Sequence, residues 1–280
     1  MNSAYHPLVG IGWRSPHYQA LLTERPALGW LEVHSENYFN PHGEAREWLR
    51  QAARHYPISL HGVGMSLGSA DPLDRHHLRQ LQQLIDETKP IRVSEHLSWS
   101  SVDGRFFNDL LPMPYTRAAL AHFADKVSAV QDALGRRLLI ENPSSYFMFA
   151  APELTEWEFL ARLQQLTGCG LLLDLNNLYV SAHNHGFDPE CYLAALDPDT
   201  VEEIHLAGYT EKVLPEGRIY IDTHSAPVVD GVWQLYRQWV AHHPVLTLIE
   251  WDLEIPSFEV LLAEAGKAAT ILEASHERAA

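Results

Sequence analysis

Residues 171–177 read LLLDLNN: three leucines, an aspartate (Asp174) where an apolar run ends, then leucine and two asparagines. A short apolar run bounded by polar turn formers reads as a buried strand. The pattern recurs along the chain, as ISLHG (58–62), VSEHL (93–97), LLIENP (138–143), EIHLAG (203–208), YIDTHS (220–225) and LIEWD (248–252). Each run closes on a histidine or a carboxylate: His61, His96, Glu141, Asp174, His205, Asp222 with His224, and Glu250. Strands of a parallel barrel all finish on one face, so groups at their C-terminal ends converge although they lie far apart in sequence.

Working outward, eight strands are predicted: Val9–Trp13, Trp30–His34, Ile58–Gly62, Ile91–His96, Leu138–Asn142, Leu171–Leu175, Glu203–Ala207 and Leu246–Trp251. Amphipathic helical stretches separate them, at Glu44–His55, Leu73–Thr88, Tyr115–Leu134, Glu156–Leu166, Pro189–Leu196, Val228–Ala241 and Ser257–Ala274. In the first of these, Ala45, Trp48, Leu49 and Ala52 make one apolar face. Alternating strands and helices imply a parallel sheet, and eight repeats favour closure into a (β/α)₈ TIM barrel with its metal site at the C-terminal face of the strands. No linker or low-complexity tract divides the chain, so residues 1–280 read as a single domain. Two inserts break the rhythm. Trp99–Pro114 holds the turn dipeptide Asp103-Gly104, and Leu206–Asp222 holds Pro215-Glu216-Gly217 between two strand-like arms. Both follow strand ends and are expected to rise over the metal face.

Composition narrows the function. The 280 residues are 46% hydrophobic, with a mean hydropathy of -0.19 and no apolar run near 18 residues, which leaves no membrane span. No secretory signal is recognised at the N-terminus, and the two cysteines, Cys169 and Cys191, lack CxxC spacing and read as free thiols of a cytoplasmic protein. A formal net charge of -16 argues against binding nucleic acid, which requires Lys and Arg against phosphates.

A single histidine at a strand end is usually a satisfied polar residue; the set carries the argument. Glu141, Asp174 and Glu250 follow apolar runs, and carboxylates gathered in one cavity would repel and take up protons unless cations are present. A site of imidazole and carboxylate without thiolate suits several divalent ions of the Fe, Mn or Zn type. Asp222 and His224, two apart on an extended segment, are expected to point the same way and share an ion. Asn177 offers a weak amide oxygen, with a turn or helix cap as the competing role for Asn176 and Asn177. His183 and His185 are expected in a loop near the surface.

The strings LEVHSENY, SLHGVGMSLGS, SEHLSW, NDLLPMPYT, IENPSSY, LLLDLNNLYVSAHNHG, EIHLAGY, DTHS and IEWD resemble the family of multinuclear non-haem iron-dependent oxidative enzymes, which includes the methanobactin-biosynthesis oxidase. The similarity runs from Gly10 to Glu250. The ligand order also resembles the wider xylose isomerase-like barrel superfamily, including the trinuclear-zinc apurinic endonucleases. By position, the resemblance implies one metal on Glu141, Asp174, His205 and Glu250, and a second on His61, His96 and a bridging Glu141. It implies a third on Asp222 and His224, with Asn177 where the endonucleases carry a histidine. It further implies two or three irons per chain, mixed Fe²⁺/Fe³⁺, with O₂ as co-substrate and Glu141, Asp222 and His224 at the reacting metals. The substrate would be the cysteines of a ribosomally made precursor peptide, presented with a leader-recognising partner protein. Two other readings remain open: a zinc-dependent phosphodiesterase, and a non-catalytic metal- or peptide-binding barrel.

Overall fold

The computed structural model describes residues 6–215 and 217–279. Twelve strands occur among these: β1 (Val9–Gly12), β2 (Trp30–His34), β3 (Ile58–His61), β4 (Arg92–His96), β5 (Ser98–Val102), β6 (Arg105–Pro112), β7 (Leu139–Glu141), β8 (Gly170–Asp174), β9 (Val201–Leu206), β10 (Tyr209–Leu214), β11 (Gly217–Asp222) and β12 (Leu246–Ile249). Eight of them close into a parallel barrel in the order β1-β12-β9-β8-β7-β4-β3-β2. All eight predicted barrel strands are present, within a residue or two at their ends. The two inserts form the antiparallel hairpins β5–β6 and β10–β11.

The helices are α1 (Tyr18–Glu24), α2 (Glu44–Ala52), α3 (Arg75–Thr88), α4 (Arg117–Leu134), α5 (Glu156–Thr167), α6 (Leu175–His185), α7 (Pro189–Ala195), α8 (Asp230–Val240) and α9 (Phe258–Ala279). Their starts are written in the sequence. Thr155 and Glu158 form a reciprocal capping box on α5, Asp74 caps α3, and Thr116 caps α4. The seven predicted helices are all found, but α1 and α6 were not foreseen. In α6 the overlooked signal is Asp174, whose side chain accepts the Asn177 N–H as an N-cap. His183 and His185 therefore sit in the last turn of a helix, not in a loop.

Strand alternation sorts the core. Leu31, Val33, Leu60, Ile140, Leu171, Leu173 and Ile204 are buried in the apolar cluster that helices such as α4, α5 and α8 also supply. The opposite parity points into the barrel. There Trp30, Leu139, Leu172 and Leu248 share their strand faces with Glu32, Glu141, Asp174 and Glu250, respectively. Among the described residues no helix is long and apolar enough to cross a membrane.

Candidate metal centre

Register explains how residues scattered over the chain meet. His34 pairs with His61, His96 with Glu141, and Asp174 with His205, each on adjacent parallel strands. The remaining steps climb by two: His61 pairs with Ser94, Glu141 with Leu172, and His205 with Leu248. Two residues is one full side-chain period of a strand, so every member of the ring faces the barrel axis. Strand β1 supplies Gly12 at the corresponding level, where a Cβ would stand in tight contact, 3.0 Å from the Arg14 guanidinium. Arg14 folds across the site edge. It donates to Asp252 at 2.8 Å and lies 3.4 Å from Glu250 Oε1.

The first group is His61, His96 and Glu141. Their Nε2 atoms stand 3.2 Å (His61) and 3.3 Å (His96) from the same oxygen, Glu141 Oε2. Each ring is fixed through its other nitrogen, His61 Nδ1 by Ser94 Oγ at 2.8 Å and His96 Nδ1 by the Gly62 carbonyl at 3.0 Å. Such outer contacts hold ligand imidazoles in one orientation.

The second group is Glu141, Asp174, His205 and Glu250. One donor atom each from Glu141, Asp174 and His205 lie within 4.8 Å of one another. His205 Nδ1 is 2.9 Å from Glu250 Oε2, while its Nε2 meets Glu32 at 3.2 Å and Glu203 at 3.3 Å. Glu32 and Glu203 are fully buried.

The third group comes from the hairpin end. Asp222 Oδ1 lies 2.7 Å from His224 Nε2, and His224 Nδ1 lies 3.3 Å from Glu250 Oε2. The pairing was expected, but the backbone reason differs. Strand β11 stops at Asp222, and His224 adopts a left-handed φ of 44°, so the two side chains meet across a turn. Asn176 Nδ2 donates to Asp222 Oδ1 at 2.7 Å, tying α6 to the hairpin. Asn177 donates to Glu141 Oε1 at 3.3 Å and leaves its own Oδ1 buried without a partner. Seven of the nine expected residues line one cavity, and Asp174 and His205 lie fully buried against them. His183 instead stacks on Tyr220, and His185 bonds Ser145.

The electrostatics are mixed: His224 and His205 hold the Glu250 carboxyl well below its usual range despite burial, while other carboxylates are pushed the opposite way. Burial, reinforced by Glu141 and Asp222, pushes the Asp174 carboxyl well up; burial with Glu203 and Glu250 does the same to Glu32. Glu141 is pushed up to about 6 by burial. His96 is raised to about 9, because Glu141 and Glu95 outweigh its burial. His61 is held well below the usual imidazole range by burial and by the neighbouring His96 and His205. Glu141 Oε2, Asp174 Oδ2 and Asn177 Oδ1 are buried without a hydrogen-bond partner. Orphaned oxygens facing imidazole nitrogens that make no hydrogen bond to them are what a cation would satisfy. The donor set fits a cluster of divalent ions. Residues not singled out from sequence also belong here: Glu32, Glu203, His34, Asp252 and Arg14. The signal was available for two of them, since Glu32 precedes His34 by two in WLEVH and Glu203 precedes His205 by two in EIH.

Above the ring opens a cavity of about 590 Å³, roofed by Phe106 and Leu110 of β6 and by Ser144 and Tyr146 after β7. The closed barrel is shared with solved sugar epimerases. L-Ribulose 3-epimerase superposes with a TM-score of 0.61 at 16% identity, over 97% of this chain and 96% of that one. D-Psicose 3-epimerase follows at 0.58 and 13% identity, over 96% and 98%. At such identities the likeness is one of fold. The sequence goes further: the profile of the RiPP precursor modification enzymes MbnB/TglH/ChrH matches residues 8–273, and the chain belongs to that family. A UPF0276 protein of Vibrio vulnificus (strain YJ016) is 55% identical over 98% of this chain and 94% of its own length. One from Chromobacterium violaceum is 55% identical over 96% of both. Membership carries with it an enzyme that modifies a ribosomally made precursor peptide.

Proposed function

We propose that this protein is an iron-dependent, O₂-using oxidase that modifies cysteine residues of its precursor peptide at a centre of two or three irons. The observation that carries the reading is the approach of two imidazole Nε2 atoms to the one buried, unpartnered oxygen of Glu141. Iron in mixed Fe²⁺/Fe³⁺ states would supply the redox chemistry with O₂. Glu141, Asp174, His205 and Glu250 would hold one ion, and His61 and His96, again with Glu141, a second. Asp222 and His224, with Asn177 Oδ1 nearby, would hold a third with few protein donors, as a substrate-binding ion requires. Glu32 and Glu203 keep His205 oriented from below, and Arg14 neutralises Asp252 at the rim.

The cavity, of about 590 Å³, is large enough to admit a cysteine side chain. Its rim exposes Phe106, Phe107 and Leu253, apolar surface that a peptide or a leader-recognising partner protein would cover. The test is metal content after anaerobic reconstitution, followed by incubation with the cognate peptide, partner and O₂. At least two irons per chain and a peptide mass changed at cysteine are expected, with no change for a Cys→Ser peptide. Zinc alone at full occupancy, or an unchanged mass, overturns the assignment.

A further inference from the structure

A second cavity, of about 220 Å³, lies behind the wall of the metal cavity. The wall is one loop thick. Ser144 and Tyr146 line the metal side, while the intervening Ser145 and the following Phe147 line the other. Strand β6 divides in the same way, with Leu110 on the metal side and Pro112 on the far side.

This second cavity is walled by aromatic rings. Phe147 and Phe149 stand 5.8 Å apart between centroids, Trp157 and Phe187 5.5 Å apart, and Tyr115 completes the lining. At its base sits the half-buried Glu156 carboxylate, reached from the cavity. Both oxygens are held by neutral phenols: Tyr115 donates to Oε2 at 2.5 Å and Tyr192 to Oε1 at 2.8 Å. Burial pushes this carboxyl up, and the two phenolic hydrogen bonds only partly oppose it. Among the described residues no Lys, Arg or His forms an ion pair with Glu156, and no Lys or Arg lines the cavity. His185, the other ionisable group there besides Tyr115 and Glu156, is held by burial below its usual range and bonds Ser145.

A half-buried carboxylate without a counter-cation, flanked by aromatic faces, is complementary to a positive charge on a slender stem. We propose that this cavity binds a lysine or arginine side chain of the peptide whose cysteine enters the metal cavity next door. This rests on the peptide-modifying function proposed above. An extended peptide advances about 3.3 Å per residue, so a cationic residue a few positions from the cysteine would reach across a wall one loop thick.

The full-length, metal-free protein is titrated calorimetrically with Nα-acetyl-lysine methylamide and with its uncharged analogue, Nα-acetyl-norleucine methylamide. The lysine probe is expected to bind about ten-fold tighter at low salt. That preference should fall to within two-fold in Glu156→Gln, which keeps the side chain's shape. Equal or tighter binding of norleucine overturns the proposal, as does the absence of saturable binding by either probe or a preference unchanged in Glu156→Gln. The wild-type comparison stands without the variant, should that variant fold poorly. In the iron-loaded protein, acetyl-Cys-Gly-Gly-Lys amide separates this site from the oxidase assignment. Lysine selectivity with an unmoved iron spectrum keeps the cation site and removes the cysteine substrate; a moved spectrum without lysine selectivity does the reverse.

Discussion

The ring of strand-borne donors and the pair at the hairpin end are built to different standards of rigidity. His61, His96, Glu141 and His205 sit on barrel strands, are at most 5% exposed, and have their second nitrogens or flanking atoms held by neighbours such as Ser94 and the Gly62 carbonyl. Asp222 and His224 follow a hairpin, keep 14% and 12% of their side-chain surface, and are anchored from outside the barrel by Asn176. The contrast suits a division of labour in the proposed centre: donors on barrel strands are held rigidly, and the two at the end of the hairpin keep more freedom to yield a position.

The sharpest way to break that comparison is to remove one donor from each set. Glu141→Ala should lose more than one metal equivalent, because one carboxylate serves two groups, whereas Asp222→Ala should lose about one. Equal losses, measured by elemental analysis after identical reconstitution, would erase the distinction. A smaller effect is expected beneath the ring. Glu32→Gln removes a buried charge that contacts His205 but contributes no donor to the ions as assigned. Metal affinity should fall by about 10- to 100-fold through loss of ligand orientation. The metal-free protein should stay within about 1 kcal/mol of wild type in chemical denaturation, since Gln keeps the volume and an oxygen that can accept from His205. An unchanged affinity would mean that the layer below the ring only fills space. The smallest effect is in pH. Glu141, raised to about 6, gains a proton as pH falls through that value and can then no longer bridge. Metal retention should therefore be complete above pH 7 and decline between about pH 6 and 5. Loss of the hairpin-held ion before the bridged pair, followed by competition with a chelator, would sharpen the comparison.

Much of this was legible in the sequence because a barrel reports its own geometry. Short apolar runs ending on a donor marked Glu141, Asp174, His205 and Glu250, and the two hairpins were signalled by Asp103-Gly104 and by Pro215 to Gly217. What escaped shares a cause: the signal was ambiguous at short range. LLLDLNN reads as a strand running into a turn, and the fold adds that Asp174, expected as a strand end and site residue, also caps a helix. Glu32 and Glu203 lie two residues before more conspicuous histidines, and the inward parity that makes them part of the site cannot be separated from surface alternation in one sequence. Arg14 was hidden because its partners Asp252 and Glu250 lie 238 and 236 residues away. The left-handed backbone at His224 is only weakly marked in DTHS, since a positive φ is uncommon even for His, which tolerates it better than most residues.

The two-residue climb between strands carries a consequence for how such a centre can change over time. Inserting one residue at the start of β4 would turn His96 outward and bring Glu95 or Leu97 to the axis, deleting a donor without altering the composition of the strand. Inserting two would keep the parity and shift the donor one layer up or down the axis. Length changes inside the strands are thus quantised for this site. Insertions in the loops, by contrast, can be of any size, and there the chain carries its two hairpins.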